Sequence, residues 1–345
     1  MKALTWQGVS DVRVDEVPDP TIRDSTDIIV RITSTGLCGS DLHLYTVLAP
    51  FLDAGDVLGH EPMGVVEEIG PDVTQLKVGD RVVIPFNVSC GDCGMCGHGL
   101  HSQCETTQVH IFLSDVLPTA YQGVQYADVP DGGSLVVLGL GPIGDMAARI
   151  AQHRGQRVIG VDLVPERLER VRDRGIEVLD LTDQDDLPGA IREMTDGRGP
   201  DAVIDAVGME AHGSPVAGVA HKIAGLLPDR LAQPMMENVG VSKLAALYSA
   251  IEIVRRGGTI SLSGVYGGAA DPLPTLQLFD KQIQVRQGQA NVKAWVDDIL
   301  PLLTEDDPLG VDDFATHHLP LTEAPAAYEH FQKKEQGMVK VIFNP

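Results

Sequence analysis

Ser134-Leu135-Val136-Val137-Leu138-Gly139-Leu140-Gly141-Pro142-Ile143-Gly144 decides the fold of this chain. The apolar run Leu135 to Leu138 reads as a strand buried on both faces, and it passes directly into G-x-G-x-x-G, a pattern that is weak alone. Context strengthens it. A helix opens through Met146 and Ala147, so the glycines let backbone approach a pyrophosphate at a helix N-terminus. A second strand, Val158-Ile159-Gly160-Val161, is closed by Asp162, where an acid binds ribose hydroxyls and repels a 2′-phosphate; this favours NAD over NADP. Arg167, which could receive such a phosphate, sits among helical neighbours and reads as a solvent-exposed charge. Gly139, Gly141, Pro142, Ile143, Gly144 and Asp162 are thus candidate coenzyme residues.

Outward from this turn, Asp201-Ala202-Val203-Ile204 and Thr259-Ile260-Ser261-Leu262 repeat the buried-strand pattern between helical stretches, the signature of a parallel sheet covered on both faces. Leu168, Val171 and Ile176 suggest one face of a charged crossover helix. Leu244, Leu247, Ile251 and Val254 form a second stripe, from a Ser242 cap to Gly257-Gly258. The first ninety residues read differently, as short strands such as Ile28-Ile29-Val30-Arg31-Ile32 and Gly64-Val65-Val66-Glu67-Glu68-Ile69 punctuated by Gly, Pro and Asp. The terminal strand Val339-Lys340-Val341-Ile342-Phe343 is expected to rejoin that β-rich part.

The 345 residues exceed what one core usually serves, so two domains are expected. With 43% hydrophobic and 22% charged residues the composition is globular, and a formal net charge of -23 argues against nucleic-acid and membrane-surface partners. No apolar run approaches the roughly 18 residues of a membrane span, and Met1 to Asp11 lacks a basic start followed by a hydrophobic stretch, so the chain reads as cytoplasmic.

Four of the five cysteines crowd into one stretch as C-x2-C-x2-C-x7-C: Cys90, Cys93, Cys96 and Cys104. A Gly-rich loop of this spacing can fold four thiolates around one tetrahedral zinc, and with every position filled by sulfur that ion is structural. An iron-sulfur cluster is the rival, but nothing nearby suggests an electron carrier. The fifth, Cys38, lies in Gly36-Leu37-Cys38-Gly39-Ser40-Asp41-Leu42-His43, and a second metal-capable segment is Gly59-His60-Glu61-Pro62. Alone, such a Cys is usually a small core hydrophobe and such a His a satisfied core or surface residue.

Together with the cysteine lobe and the glycine turn, these motifs resemble the zinc-containing medium-chain alcohol dehydrogenases over nearly the whole chain. The resemblance implies a second zinc, catalytic, on Cys38, His60 and a third ligand matched by Asp115 in Leu113-Ser114-Asp115-Val116-Leu117-Pro118-Thr119. An Asp there, in place of Cys, is similar to the glutathione-independent formaldehyde dehydrogenase branch. Such a zinc keeps one open position and lowers the pKa of a bound alcohol, so that a zinc-bound alkoxide expels hydride toward NAD. By the same resemblance Ser40 takes the alcohol proton, His43 passes it to solvent, Asp41 orients the His60 ring, and Glu61 enters the zinc shell transiently. Thr119 is implied near the nicotinamide, Val265 at its carboxamide, and Lys340 near the pyrophosphate. Residues 209–240 match an insertion that covers the coenzyme in formaldehyde-dehydrogenase relatives.

The implied fold is α/β: a GroES-like, β-rich catalytic domain (1–116 and 289–345) around a Rossmann doubly wound parallel-sheet domain (117–288), with the site in their cleft. The implied activity interconverts a small alcohol and its aldehyde. Alternatives are a formaldehyde dehydrogenase or dismutase with tightly held NAD, a polyol dehydrogenase, and a zinc-stabilised nucleotide-binding protein without catalysis. Relatives of this kind form dimers or tetramers. In one place the chain departs from the pattern: only ten residues separate Cys104 from Asp115, where the family has several dozen. A stretch left out of the sequence is the preferred reading, a deletion in the protein the alternative.

Overall fold

The computed structural model describes residues 1–47, 52–106, 116–208, 244–266 and 273–345. They form two compact units, Met1–Asp115 with Asp312–Pro345, and Val116–Val311. Asp115, the 209–240 insertion and the Ser242 cap lie outside the described residues.

The second unit is built on six strands: β6 (Ser134–Leu138), β7 (Arg157–Asp162), β8 (Glu177–Asp180), β9 (Ala202–Asp205), β10 (Thr259–Leu262) and β11 (Gln284–Gln287). They are ordered β11-β10-β9-β6-β7-β8 and all pairs are parallel. The order reverses between β6 and β9, which makes the carboxyl ends of those strands the switch-point crevice of a Rossmann sheet. Continuous apolar strands follow from cover on both faces: Val136, Val137, Ile159, Val203, Ile204 and Ile260 are fully buried.

Two expectations shift here. Ile176 is buried but lies beyond the helix Pro165–Arg172, in the approach to β8. The 289–311 segment packs with the second unit, because Gln122 on the helix Val116–Ala127 donates to Gly288 O and Gln289 O and accepts from Asn291 N and Trp295 Nε1.

The first unit holds the hairpin β1 (Lys2–Gly8) and β2 (Asp11–Glu16), and a five-stranded sheet. That sheet contains β3 (Ile28–Leu37), β4 (Pro62–Ile69), β5 (Arg81–Val83), β12 (His317–Pro320) and β13 (Val341–Asn344), ordered β12-β13-β3-β4-β5. The chain's end therefore does return to its beginning, β13 pairing antiparallel with β3. The terminal strand starts two residues later than expected, because the Val339 and Lys340 N–H groups bond Thr316 Oγ1 instead of a ladder. Leu4, Trp6, Leu37, Tyr328, Phe331 and Phe343 belong to the core of this unit. Among the described residues no helix is long and apolar enough to cross a membrane.

Candidate functional site

In the first unit, antiparallel pairing of Thr35 with Pro62 sets the end of β3 beside the start of β4. The residues just beyond each strand, Cys38 and His60, therefore meet. Cys38 caps the short helix Gly39–Leu42, and its N–H is held by Asp41 Oδ2 at 2.9 Å. The other oxygen, Asp41 Oδ1, lies 3.1 Å from His60 Nδ1, which orients the ring and leaves Nε2 to face the site. Glu61 Oε1 is 3.9 Å from His60 Nε2. Ligand atoms of Cys38, His60 and Glu61 all lie within 4.8 Å of one another.

This cluster is buried and charged. Burial alone would lower the His60 pKa, but the Asp41 carboxylate outweighs it and holds the imidazole up to about 11. Glu61 Oε2 pairs with Lys340 Nζ, which also donates to Leu37 O at 3.3 Å. Burial opposes the charge of Lys340, and Glu61 more than restores it. Tyr328 is wholly buried, and burial with the negative charge of Asp41 pushes its phenol well up. Glu61 Oε1 is buried with no hydrogen-bond partner among the described residues. A soft sulfur, an imidazole and an orphaned carboxylate oxygen together suit a zinc ion.

Ser40 stands 3.9 Å from Cys38 through its Oγ, and His43 opens the following turn, His43–Val47. Lys340, expected near the pyrophosphate, pairs with Glu61, 279 positions away. The structure thus gathers Cys38, Ser40, Asp41, His60, Glu61 and Lys340, while Asp115 lies outside the described residues.

The Sγ atoms of Cys90, Cys93, Cys96 and Cys104 also lie within 4.8 Å of one another. A tetrahedron with zinc–sulfur bonds near 2.3 Å has edges of about 3.8 Å. Cys104 Sγ is 3.5 Å from Cys90 Sγ and 4.0 Å from Cys93 Sγ, which fits that edge. Burial and the neighbouring thiols push the Cys96 thiol up to about 12, and a cation held by all four sulfurs would favour the thiolates instead.

In the second unit Gly139 takes φ +83° and turns the chain out of β6. Gly141 precedes the helix Pro142–His153, which has Pro142 in its first turn and so exposes its N-terminal N–H groups. Asp162 is 6% exposed and latches this turn. Its Oδ2 accepts from Leu140 N at 2.6 Å, and its Oδ1 accepts from Leu163 N and Val164 N. Arg167 is not a solvent-exposed charge as the sequence suggests. Its side chain is 13% exposed and lies 3.8 Å from Asp162 Oδ2, beside Gly141, where the loop draws it in. Thr119 is buried with its Oγ1 unpartnered, and Val265 follows β10, 40% exposed.

A Cβ on Gly144 would overlap the Gly139 carbonyl oxygen, so Gly144→Ala must open the turn. We expect NAD affinity to fall roughly tenfold or more, because this glycine secures close helix–strand packing. Titration with NAD checks this, and the metal content should not change.

Comparison with known proteins bears on both units. An alcohol dehydrogenase GroES-like domain matches residues 24–135, and a zinc-binding dehydrogenase domain matches residues 142–220. The chain is 35% identical to an uncharacterized zinc-type alcohol dehydrogenase-like protein, AdhB of Bacillus subtilis (strain 168), with all of both chains covered. That alignment runs over 396 positions against 345 residues here, so the relative carries residues this chain lacks. A formaldehyde dismutase of Pseudomonas putida is 29% identical over all of this chain and 97% of its own. Among solved structures, alcohol dehydrogenase TADH from Thermus sp. ATN1 superposes with a TM-score of 0.79 at 30% identity, covering 100% of this chain and 99% of that one. Matched in both domains and along its whole length, this chain belongs to the zinc-containing medium-chain alcohol dehydrogenases.

Proposed function

We propose that the protein oxidises a small primary alcohol to its aldehyde, and the reverse, with the first unit as the catalytic domain and the second as the coenzyme domain. The observation that carries this reading is the buried meeting of Cys38, His60 and Glu61, with Asp41 fixing the imidazole. Cys38 and His60 would hold the catalytic zinc, with Asp115 or Glu61 as third ligand. Cys90, Cys93, Cys96 and Cys104 would hold a structural one, making two per chain. When bound, the catalytic ion supplies the positive charge that lowers the pKa of an alcohol, and NAD supplies the hydride acceptor.

The chain's own residues do the rest. Ser40 accepts the alcohol's proton, and His43 passes it toward solvent. Asp41 keeps Nδ1 of His60 occupied, so that Nε2 is the nitrogen that would hold the ion. Glu61, paired with Lys340, would also be within reach of an ion held by Cys38 and His60. Gly139, Gly141, Pro142, Ile143 and Gly144 receive the pyrophosphate, Asp162 and Arg167 the adenosine ribose, and Thr119 and Val265 the nicotinamide.

The named dismutase relative and Asp115 support a second reading, in which the coenzyme stays bound while one aldehyde hydrate is oxidised and the next aldehyde reduced. Rates on ethanol, sorbitol and formaldehyde separate these cases. NADH formation from ethanol supports the first reading. Formaldehyde consumption without added NAD supports the second, and a clear preference for sorbitol contradicts both.

Leu276 and Phe279 are 80% and 82% exposed on the helix Thr275–Lys281, next in the chain to β11, which is an edge strand of its sheet. An apolar patch near an open edge supports self-association into a dimer or tetramer. None of the five cysteines is in a disulfide, which supports a reducing, cytoplasmic setting.

A further inference from the structure

Asp205 ends β9 at the switch point and is fully buried. Its backbone oxygen accepts from Ser263 N at 3.0 Å and Gly264 N at 2.8 Å. Its Oδ1 accepts from Val207 N at 2.9 Å and Gly208 N at 3.1 Å, and its Oδ2 accepts from the Tyr266 hydroxyl. One residue therefore ties together two loops, the one after β9 and the one after β10. Among the described residues none of its partners is a cation, and burial holds the carboxyl above the usual range.

The loops are pressed together backbone to backbone. A Cβ on Gly264 would collide with Gly208 N and Cα, and one on Gly208 would collide with Val265 N. Gly139, the first glycine of the phosphate turn, packs against Val207 and Ala206, and Ala206 N bonds Leu138 O at 2.9 Å. The phosphate turn and both loops thus form one continuous floor at the carboxyl ends of β6, β9 and β10. Val265 is the residue of that floor whose backbone the coenzyme reading assigns to the carboxamide. It stands between Gly264, fixed by the Asp205 carbonyl, and Tyr266, fixed by the Asp205 carboxylate.

We infer that Asp205 and Tyr266 are positioning residues for the nicotinamide half of the coenzyme, acting through the Val265 backbone. This rests on the NAD reading above and extends it. A buried carboxylate taking three donors is a costly device for holding a loop that touches nothing. It makes sense where a peptide group must be held to a fraction of an ångström against a reacting ring. The adenine half is bound by Asp162 and by the glycine turn, which Asp162 latches directly through Leu140 N, so it should depend on the Asp205–Tyr266 pair much less.

The test uses NAD and ADP-ribose as probes, since ADP-ribose lacks the nicotinamide. Tyr266→Phe keeps the ring packed on the core and removes only the hydroxyl; Asp205→Asn keeps the size and weakens the acceptor. Wild-type protein should bind NAD more tightly than ADP-ribose. In both variants NAD affinity should fall about tenfold, the order expected for a lost hydrogen bond to a charged group, with ADP-ribose affinity within about twofold of wild type. Equal loss for both ligands means a merely structural role, and unchanged NAD affinity means no role; either overturns the inference and leaves the coenzyme reading standing. Wild-type protein that binds neither nucleotide overturns that reading and this inference with it.

Discussion

Cys38→Ser is expected to lower alcohol oxidation by about a thousandfold or more, because it removes the sulfur of a site that supplies several kcal/mol of charge stabilisation. Cys38 is 1% exposed, and its neighbours Asp41 and His60 are buried too. A serine hydroxyl is a hard donor of nearly the same size, so the pocket keeps its shape while losing affinity for zinc. The short helix Gly39–Leu42 keeps its cap, since the bond that matters there runs from the Cys38 N–H to Asp41 Oδ2. NAD affinity should change little, because the glycine turn, Asp162, Thr119 and Val265 all lie in Val116–Val311. Steady-state rates beside a coenzyme titration read both quantities. A variant that keeps a tenth of the wild-type rate would show that the cluster is not the reactive centre.

The second large effect is on stability. Cys93→Ser should cost the four-cysteine lobe its ion and unfold it locally. This stretch offers little else to hold it. Its regular structure is a helix of four residues, Gly94–Gly97, and the turn His101–Gln103, and of the four cysteines only Cys96 and Cys104 are buried. Structural zinc contributes on the order of 10 kcal/mol in small domains that depend on it, so its loss outweighs the few hydrogen bonds that remain. Limited proteolysis should cut the variant within 90–106 under conditions where the wild type is intact. The Rossmann unit does not use this ion, so NAD binding should persist. A variant as protease-resistant as wild type would contradict a metal-held lobe.

Much of this was legible in the sequence because it is local. The glycine turn, the strands on either side and the cysteine spacing each lie within one stretch, and their chemistry depends on residues a few positions apart. Cys38 and His60 are 22 positions apart, yet the motifs around them carried the pairing. What stayed hidden depends on tertiary contacts. Lys340 meets Glu61 across 279 positions, and no pattern in either segment announces it. Arg167 looked exposed because its helix is highly charged, but the Asp162 latch draws it into the coenzyme turn. Asp205 directly follows the strand read from the sequence as Asp201 to Ile204, and nothing in that pattern singles it out. Its signal was an acid directly before Ala206-Val207-Gly208, which becomes meaningful once Tyr266 is brought to it. Gln122 likewise shows nothing in sequence, yet it determines where residues 288–295 pack.

The most direct test of the account is zinc per chain, measured by elemental analysis on wild type and Cys38→Ser purified side by side. The account predicts two in the wild type and one in the variant, the survivor being held by Cys90, Cys93, Cys96 and Cys104. A single zinc in both proteins would contradict a metal centre at Cys38 and His60, and with it the proposed chemistry.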